Sequence, residues 1–539
     1  MHAARVHFGM CTRAACTTDK GTQSMSSEMI TGTPEMAPSV LTEDQVSFAR
    51  TVGLTGLMAV VLGVLILILN AAKARLGVEI GNNVGFAGIL IGMALMFFHA
   101  TRDTDQLIRR LYGYVGGMGL PMSGVILSIL PVIISWARPA PEDGPKVIVS
   151  LFFPFGWACF LAGLFFLMPF CRNETEESNR KHGLMALGIL GTLLAIISLG
   201  GGLIVSSFAL TYGSVLALLG LAYLCGLVHQ LGGADLEGYN PALGIGAIGL
   251  LAFLAALIRS LIPGDRPFFI PAGLLIMSLG LTYAVTAVFI VSDLTIIVLT
   301  RRELLAYFCS PIAYILLFIS ALVAAFQYIF FLSALEGGRL EPVVQTFYLG
   351  FLLGVFMLVF IVPVLTMRLV SEEKRTGTYE VLMCAPVTEF QVVVSKLLAS
   401  LAFYMLLWGI WLAFLLHLRI ESGKVFEYRP LISFYLALLA TGASFVSMGL
   451  FFSALTKNQI IAAALTFLGM SLWIGLFLVT RLVPETSSKY VIFSHLSFVQ
   501  LWAESLQGRL HLRDLFIHLS IAVFWTFMTV KVVEARRWS

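Results

Sequence analysis

The sequence predicts an all-α integral membrane protein, a polytopic helical bundle of about 14 transmembrane helices arranged as eight followed by six. Three observations predict it. The chain is 58% hydrophobic and only 12% charged, whereas soluble domains carry roughly 25% charged residues. Apolar runs of bilayer-spanning length, about 20 residues, recur along it. Lys and Arg gather in alternate gaps between those runs, as the positive-inside rule requires.

Residues 1–49 are polar and irregular and read as a disordered cytoplasmic tail, with no apolar core of a signal peptide near the start. Eight runs follow, near 51–70, 84–100, 117–136, 147–170, 184–204, 206–229, 242–262 and 268–291. They make an N-terminal membrane domain, 50–291, to which the sequence assigns no role. Pro121, Pro131, Gly201 and Gly202 soften its boundaries. Six more runs, near 312–333, 346–367, 397–417, 431–454, 460–480 and 515–533, make a second domain, 292–539.

The basic gaps set the orientation. Arg102, Arg109 and Arg110 follow the second run, and Arg172, Arg180 and Lys181 the fourth. Arg301 and Arg302 follow the eighth, Arg368, Lys374 and Arg375 the tenth, and Arg536 and Arg537 the last. All are even-numbered gaps, so one topology places them in the cytoplasm with both termini inside a cell (inner) membrane. Asp235 and Glu237 make the sixth gap acidic, and Arg259 and Arg266 fall on the other side.

Several chemistries lack their motifs. The seven cysteines include no C-x-x-C pair and read as buried small hydrophobes, so neither a disulfide framework nor a metal site is expected. The sequence contains no G-x-x-x-x-G-K-[ST], no G-x-S-x-G and no H-E-x-x-H. No catalytic residues and no bound cofactor are expected, and the chain does not read as an enzyme. A net charge of +4 gives no sign of nucleic-acid binding.

The densest polar information lies in Thr366–Pro386, TMRLVSEEKRTGTYEVLMCAP. Glu372, Glu373, Lys374 and Arg375 form a charged knot between two apolar runs. Hydrocarbon tolerates neither charge nor open backbone, so the knot lies in water or against charges of a partner. The tenth run is expected to continue as helix to Arg375 and break at Gly377. Thr378 then caps a short helix with Glu380 in its first turn and Leu382 on its apolar side, and Pro386 stops it. Thr388 and Gln391 have capping-box spacing for the next membrane helix. The plainer reading is a solvated loop obeying the charge rule.

This segment resembles the signature of ABC-2-type transporter permeases, E-E-[KR]-x-x-G-T-x-E-x-L-x-x-x-P. Glu372, Glu373, Lys374, Gly377, Thr378, Glu380, Leu382 and Pro386 carry it here, and Lys396 suits the same pattern. Thr300–Tyr314, TRRELLAYFCSPIAY, resembles the family's entry segment, carried by Arg301, Arg302, Glu303, Tyr307 and Pro311. Pro311 suits the corner, because it disfavours helix at Ser310 and is welcome at a helix start. Ser494–Trp538 is similar to the gliding-motility-type branch of these permeases. The resemblance covers about residues 292–539 and leaves 50–290 unmatched.

The resemblance implies the permease subunit of an ATP-binding-cassette transporter, an exporter, whose knot touches a separate ATPase chain, with Arg302 and Glu303 anchoring the entry helix beside it. ATP and Mg would be held by that partner, and a second copy or a related permease would complete the complex in the lipid bilayer. The other reading is a polytopic secondary transporter or membrane scaffold with a permease-like C-terminal half.

Three further groups raise questions. His99, Arg102, Asp103 and Asp105 read as a helix cap rather than a metal site. Gln327 and Asn70 are polar groups within or at the end of apolar runs, expected to bond a neighbouring helix. The stretch 481–514 reads as short interfacial or re-entrant helices on the outer face, with Tyr490 and Trp502 at headgroup level.

Overall fold

The computed structural model describes residues 43–72, 79–103, 105–137, 147–232, 236–262, 268–308, 310–336, 343–349, 353–378, 386–422, 429–484 and 487–535. The described residues contain helices and no strands, so the chain is an all-α multi-pass membrane protein. Its apolar runs leave no other choice, because a helix satisfies every backbone group within its own segment.

The first half comprises α1 (Glu43–Ala72), α2 (Glu79–Arg102), α3 (Gln106–Leu111), α4 (Leu120–Ala137), α5 (Val147–Asn173) and α6 (Glu177–Ala195). It continues with α7 (Gly201–Ile204), α8 (Ser206–Phe208), α9 (Ser214–Gln230), α10 (Leu236–Leu261) and α11 (Leu274–Val291). α1 and α2 form a hairpin so close that backbones touch. A Cβ on Gly92 would lie 2.5 Å from the carbonyl oxygen of Gly56. Small residues permit this approach where apolar burial gives helices in lipid no reason to associate.

The second half begins with α12 (Thr295–Phe308) and α13 (Pro311–Glu336). Then come α14 (Val343–Leu349), α15 (Leu353–Thr366), α16 (Ser371–Thr376), α17 (Glu389–Ser422), α18 (Arg429–Leu455) and α19 (Gln459–Leu482). α20 (Ser488–Leu496), α21 (Phe498–Ser505) and α22 (Leu512–Ala535) complete it. Its core is aromatic, with Phe403, Tyr404, Trp408, Trp411, Phe434, Phe445 and Trp502 all buried. α18 is its central helix, with most of its membrane window enclosed by protein.

Ten helical segments among the described residues are long and apolar enough to cross a membrane, against about 14 expected. Two more expected runs correspond to shorter apolar helices, Ala87–Arg102 and Ser214–Gln230. The third run corresponds to α4, preceded by a π-helical stretch, Tyr112–Gly119. The tenth takes in α14 and α15, and residues 350–352 between them lie outside the described residues.

One end of the bundle collects the basic gaps. Arg50 pairs with Asp103 at 3.2 Å, Arg110 with Glu174 at 3.0 Å, and Arg180 donates to the Gln230 carbonyl at 3.2 Å. Arg301 donates to the carbonyls of Ile290 at 3.1 Å and Ser292 at 2.8 Å. Asp105 caps α3 through the Leu107 amide, so this group acts as the helix cap its spacing predicted. Gln327 is buried and donates to the Phe347 carbonyl at 2.8 Å. The side chain of Asn70, and Asp235, lie outside the described residues.

Trp502 departs from the expectation. It is buried, and its indole N–H donates to Thr441 Oγ1 at 3.1 Å. A hydroxyl inside the bundle takes the role the headgroup layer would have played, and the ring packs edge-on against Trp408 and Phe434.

Candidate functional site

The knot is shaped by a break placed earlier than Gly377. α15 ends at Thr366, residues 367–370 turn, and α16 starts at Ser371. The expected continuous helix to Arg375 is therefore interrupted. The reason lies on α18. Ser453 Oγ accepts from the amides of Val370 at 3.1 Å and Ser371 at 3.2 Å, and donates to the Met367 carbonyl at 3.2 Å. A side chain about 80 residues away takes the place of the lost helix ladder. α18 comes close enough because Gly449 faces Thr366, where a Cβ would lie 2.2 Å from Thr366 Oγ1.

Gly377 does end α16, with φ at +75° in the left-handed region that side chains avoid. Thr388 and Gln391 form the expected reciprocal cap, Thr388 N to Gln391 Oε1 at 3.0 Å and Gln391 N to Thr388 Oγ1 at 3.3 Å. Residues 379–385, with Glu380, Leu382 and the body of the predicted short helix, lie outside the described residues. Thr378 and Pro386 on either side are exposed.

The four charges of the knot take different roles. Glu372 pairs with Arg368, whose Nη2 lies 2.8 Å from Glu372 Oε1 and whose Nη1 donates to Ser310 Oγ at 2.9 Å. Glu373 turns inward to Lys396 Nζ at 2.6 Å. Lys374 is buried and donates to the Ala454 carbonyl, at the C-terminal, negative end of α18. Arg375 is exposed.

The entry segment forms the facing wall. α12 is a helix, and Pro311 opens α13 as expected. Glu303 Oε2 lies 3.0 Å from Lys396 Nζ, and Arg302 lies 2.8 Å from Glu303 Oε1. The Tyr307 hydroxyl donates to the Leu365 carbonyl at 3.1 Å, and its ring stacks on Phe403. Arg301 points away, to the end of α11. Lys396, only 2% exposed, thus joins the entry helix, the knot and α17 at one point.

The electrostatics follow from this pairing. Burial pushes the Glu303 carboxyl up, but Lys396 and Arg302 outweigh it and hold the group below its ordinary value. The hydrogen bond from Arg368 holds Glu372 below its ordinary value too. A cleft of about 220 Å³ lies between the two walls, lined by Glu303, Tyr307, Arg368, Glu372, Glu373 and Lys396. Among the described residues no three His, Cys, Asp or Glu side chains are placed to hold a metal ion. The arrangement is a cluster of paired charges that links α12, α16 and α17, with Arg375 and Arg302 at its surface.

Lys396 and Glu303 were visible in the sequence as motif positions, but Ser453, Gly449 and the Ala454 carbonyl were not. Those three belong to a segment with no motif, brought to the knot by the fold.

Residues 338–503 match the model of a family described as ABC-2 family transporter protein. The matched stretch contains the knot, α17 and α18, and the chain carries an ABC-2-type permease domain there. No curated protein and no solved structure matches the chain.

Proposed function

We propose that this chain is the membrane-spanning subunit of an ATP-driven exporter and that a separate ATPase chain docks at the charged joint. The observation that carries the reading is the Lys396 junction. A cation buried between Glu303 and Glu373 ties the entry helix and the knot to α17, so a push on the knot moves all three together. Such a joint suits the conversion of a partner's movement into a movement of membrane helices. Two permease copies, or this chain and a related permease, would sit over two ATPases that hold ATP and Mg. The basic end of the bundle would face the cytoplasm of a cell (inner) membrane, with both chain termini on that side.

Glu373 and Lys374 are engaged inside the protein, so in this reading docking falls to the exposed Arg375 and to Arg302, which also pairs with Glu303 at 2.8 Å. The test is co-purification of a co-expressed ABC ATPase with wild-type protein and with Arg375→Glu and Arg302→Gln variants. Reversing the exposed Arg375 and neutralising the half-exposed Arg302 cost little stability, so the variants should stay folded while retaining several-fold less ATPase and stimulating it less. Full retention and full stimulation by the double variant would remove this surface as the docking site.

A further inference from the structure

The first half holds two adjoining cavities, one of them with polar groups in its lining. One is an apolar cleft of about 610 Å³ between the α1–α2 hairpin and the wall made by residues 111–120 and α5. Val60, Ile89, Met93, Met96, Val115 and Ala158 are among its lining. The volume falls within the range of ligand pockets, about 300–1,000 Å³. α1 and α5 both carry candidate membrane spans, so the cleft lies at hydrocarbon depth. Leu90 and Val115, on its lining, are exposed, so it opens sideways.

The second cavity is a small recess of about 20 Å³, where Gln106, Arg109, Asn173 and Glu174 stand beside the apolar Phe166 and Phe170. Tyr112 and Phe166 line both cavities, so the recess sits at one end of the cleft. That end is the basic one. The Tyr112 hydroxyl lies 2.9 Å from His99 Nδ1, and His99 Nε2 lies 2.8 Å from Asp103. Glu174 is already engaged by Arg110. Arg109 spends its Nε–H on the Asp103 carbonyl and makes no ion pair with a described residue.

From this juxtaposition we infer that the first half binds an anionic phospholipid, with one acyl chain in the cleft and the headgroup at Arg109. The cleft is too apolar to hold water, and an empty space of this size would forfeit packing on every wall. The unpaired guanidinium selects the charge of the head, since it matches phosphate geometry and is weakly hydrated. Gln106 and Asn173 add neutral hydrogen-bonding groups beside it.

The test uses the full chain in nanodiscs containing phosphatidylglycerol that carries a photoactivatable group near the end of one acyl chain. Cross-links are expected to concentrate on peptides covering residues 89–96 and 111–120. Unlabelled phosphatidylglycerol should compete and phosphatidylcholine should not. Arg109→Ala should weaken competition by phosphatidylglycerol about tenfold, the scale of a lost charge-assisted contact. Ala158→Phe, which fills the cleft, should abolish the concentrated labelling. Labelling spread evenly over all lipid-facing helices, or equal competition by the two lipids in the wild type, would overturn the inference. So would undiminished phosphatidylglycerol preference in Arg109→Ala.

Discussion

Lys396 Nζ lies 2.6 Å from Glu373 and 3.0 Å from Glu303, and its side chain is only 2% exposed. Removing that cation while keeping its size leaves two carboxylates facing each other in a mostly buried site. Breaking a buried pair from one side costs about 3–5 kcal/mol. Lys396→Met is therefore expected to lower the melting temperature in detergent by several degrees. Adding Glu303→Gln to that variant should recover part of the loss, because one stranded charge disappears. Equal melting of wild type and Lys396→Met would show that the junction contributes nothing to stability.

Acid should loosen the same joint. Glu303 and Glu372 both titrate below their ordinary value of 4.5 in the folded protein. The unfolded chain therefore binds protons first as pH falls, and stability rises with pH across that window. The stabilisation is complete above about pH 4.5 and is lost as pH drops through the depressed folded values. A series of thermal melts against pH checks this. The acid arm should be shallower in Glu303→Gln than in the wild type, and an unchanged arm would exclude Glu303 as a contributor.

Ser453 should matter as much as many core residues. Its hydroxyl accepts from two amides at the 367–370 turn and donates to a third backbone group. Ser453→Ala strands buried donors, at a cost of about 1–3 kcal/mol. Amide exchange should quicken first at Val370 and Ser371, before the protein as a whole loosens. Exchange unchanged there would mean that another group satisfies these amides.

What the sequence reveals and what it hides divide along contact distance. The apolar runs, the glycine that ends α16, the proline that opens α13 and the Thr388–Gln391 cap were all readable, because each depends on residues within one helical turn. The break at 367–370 was not, because the serine that permits it is more than 80 positions away. Trp502 was misplaced for the same reason. Its indole fits a headgroup layer as well as a bundle interior, and only Thr441 on α18 decides between them. The inward turn of Glu373 and Lys374 was hidden too, since an acidic and a basic residue side by side read as a solvated pair until their separate acceptors are in place.

Arg301 has a consequence for how this gene can be divided. Its guanidinium holds the carbonyls of Ile290 and Ser292, at the end of α11. A shortened gene that starts at Thr295 would deprive that arginine of both acceptors and free the helix that carries Glu303. The portable unit therefore includes α11, and a graft of the second half onto another protein needs residues 274–291 to travel with it.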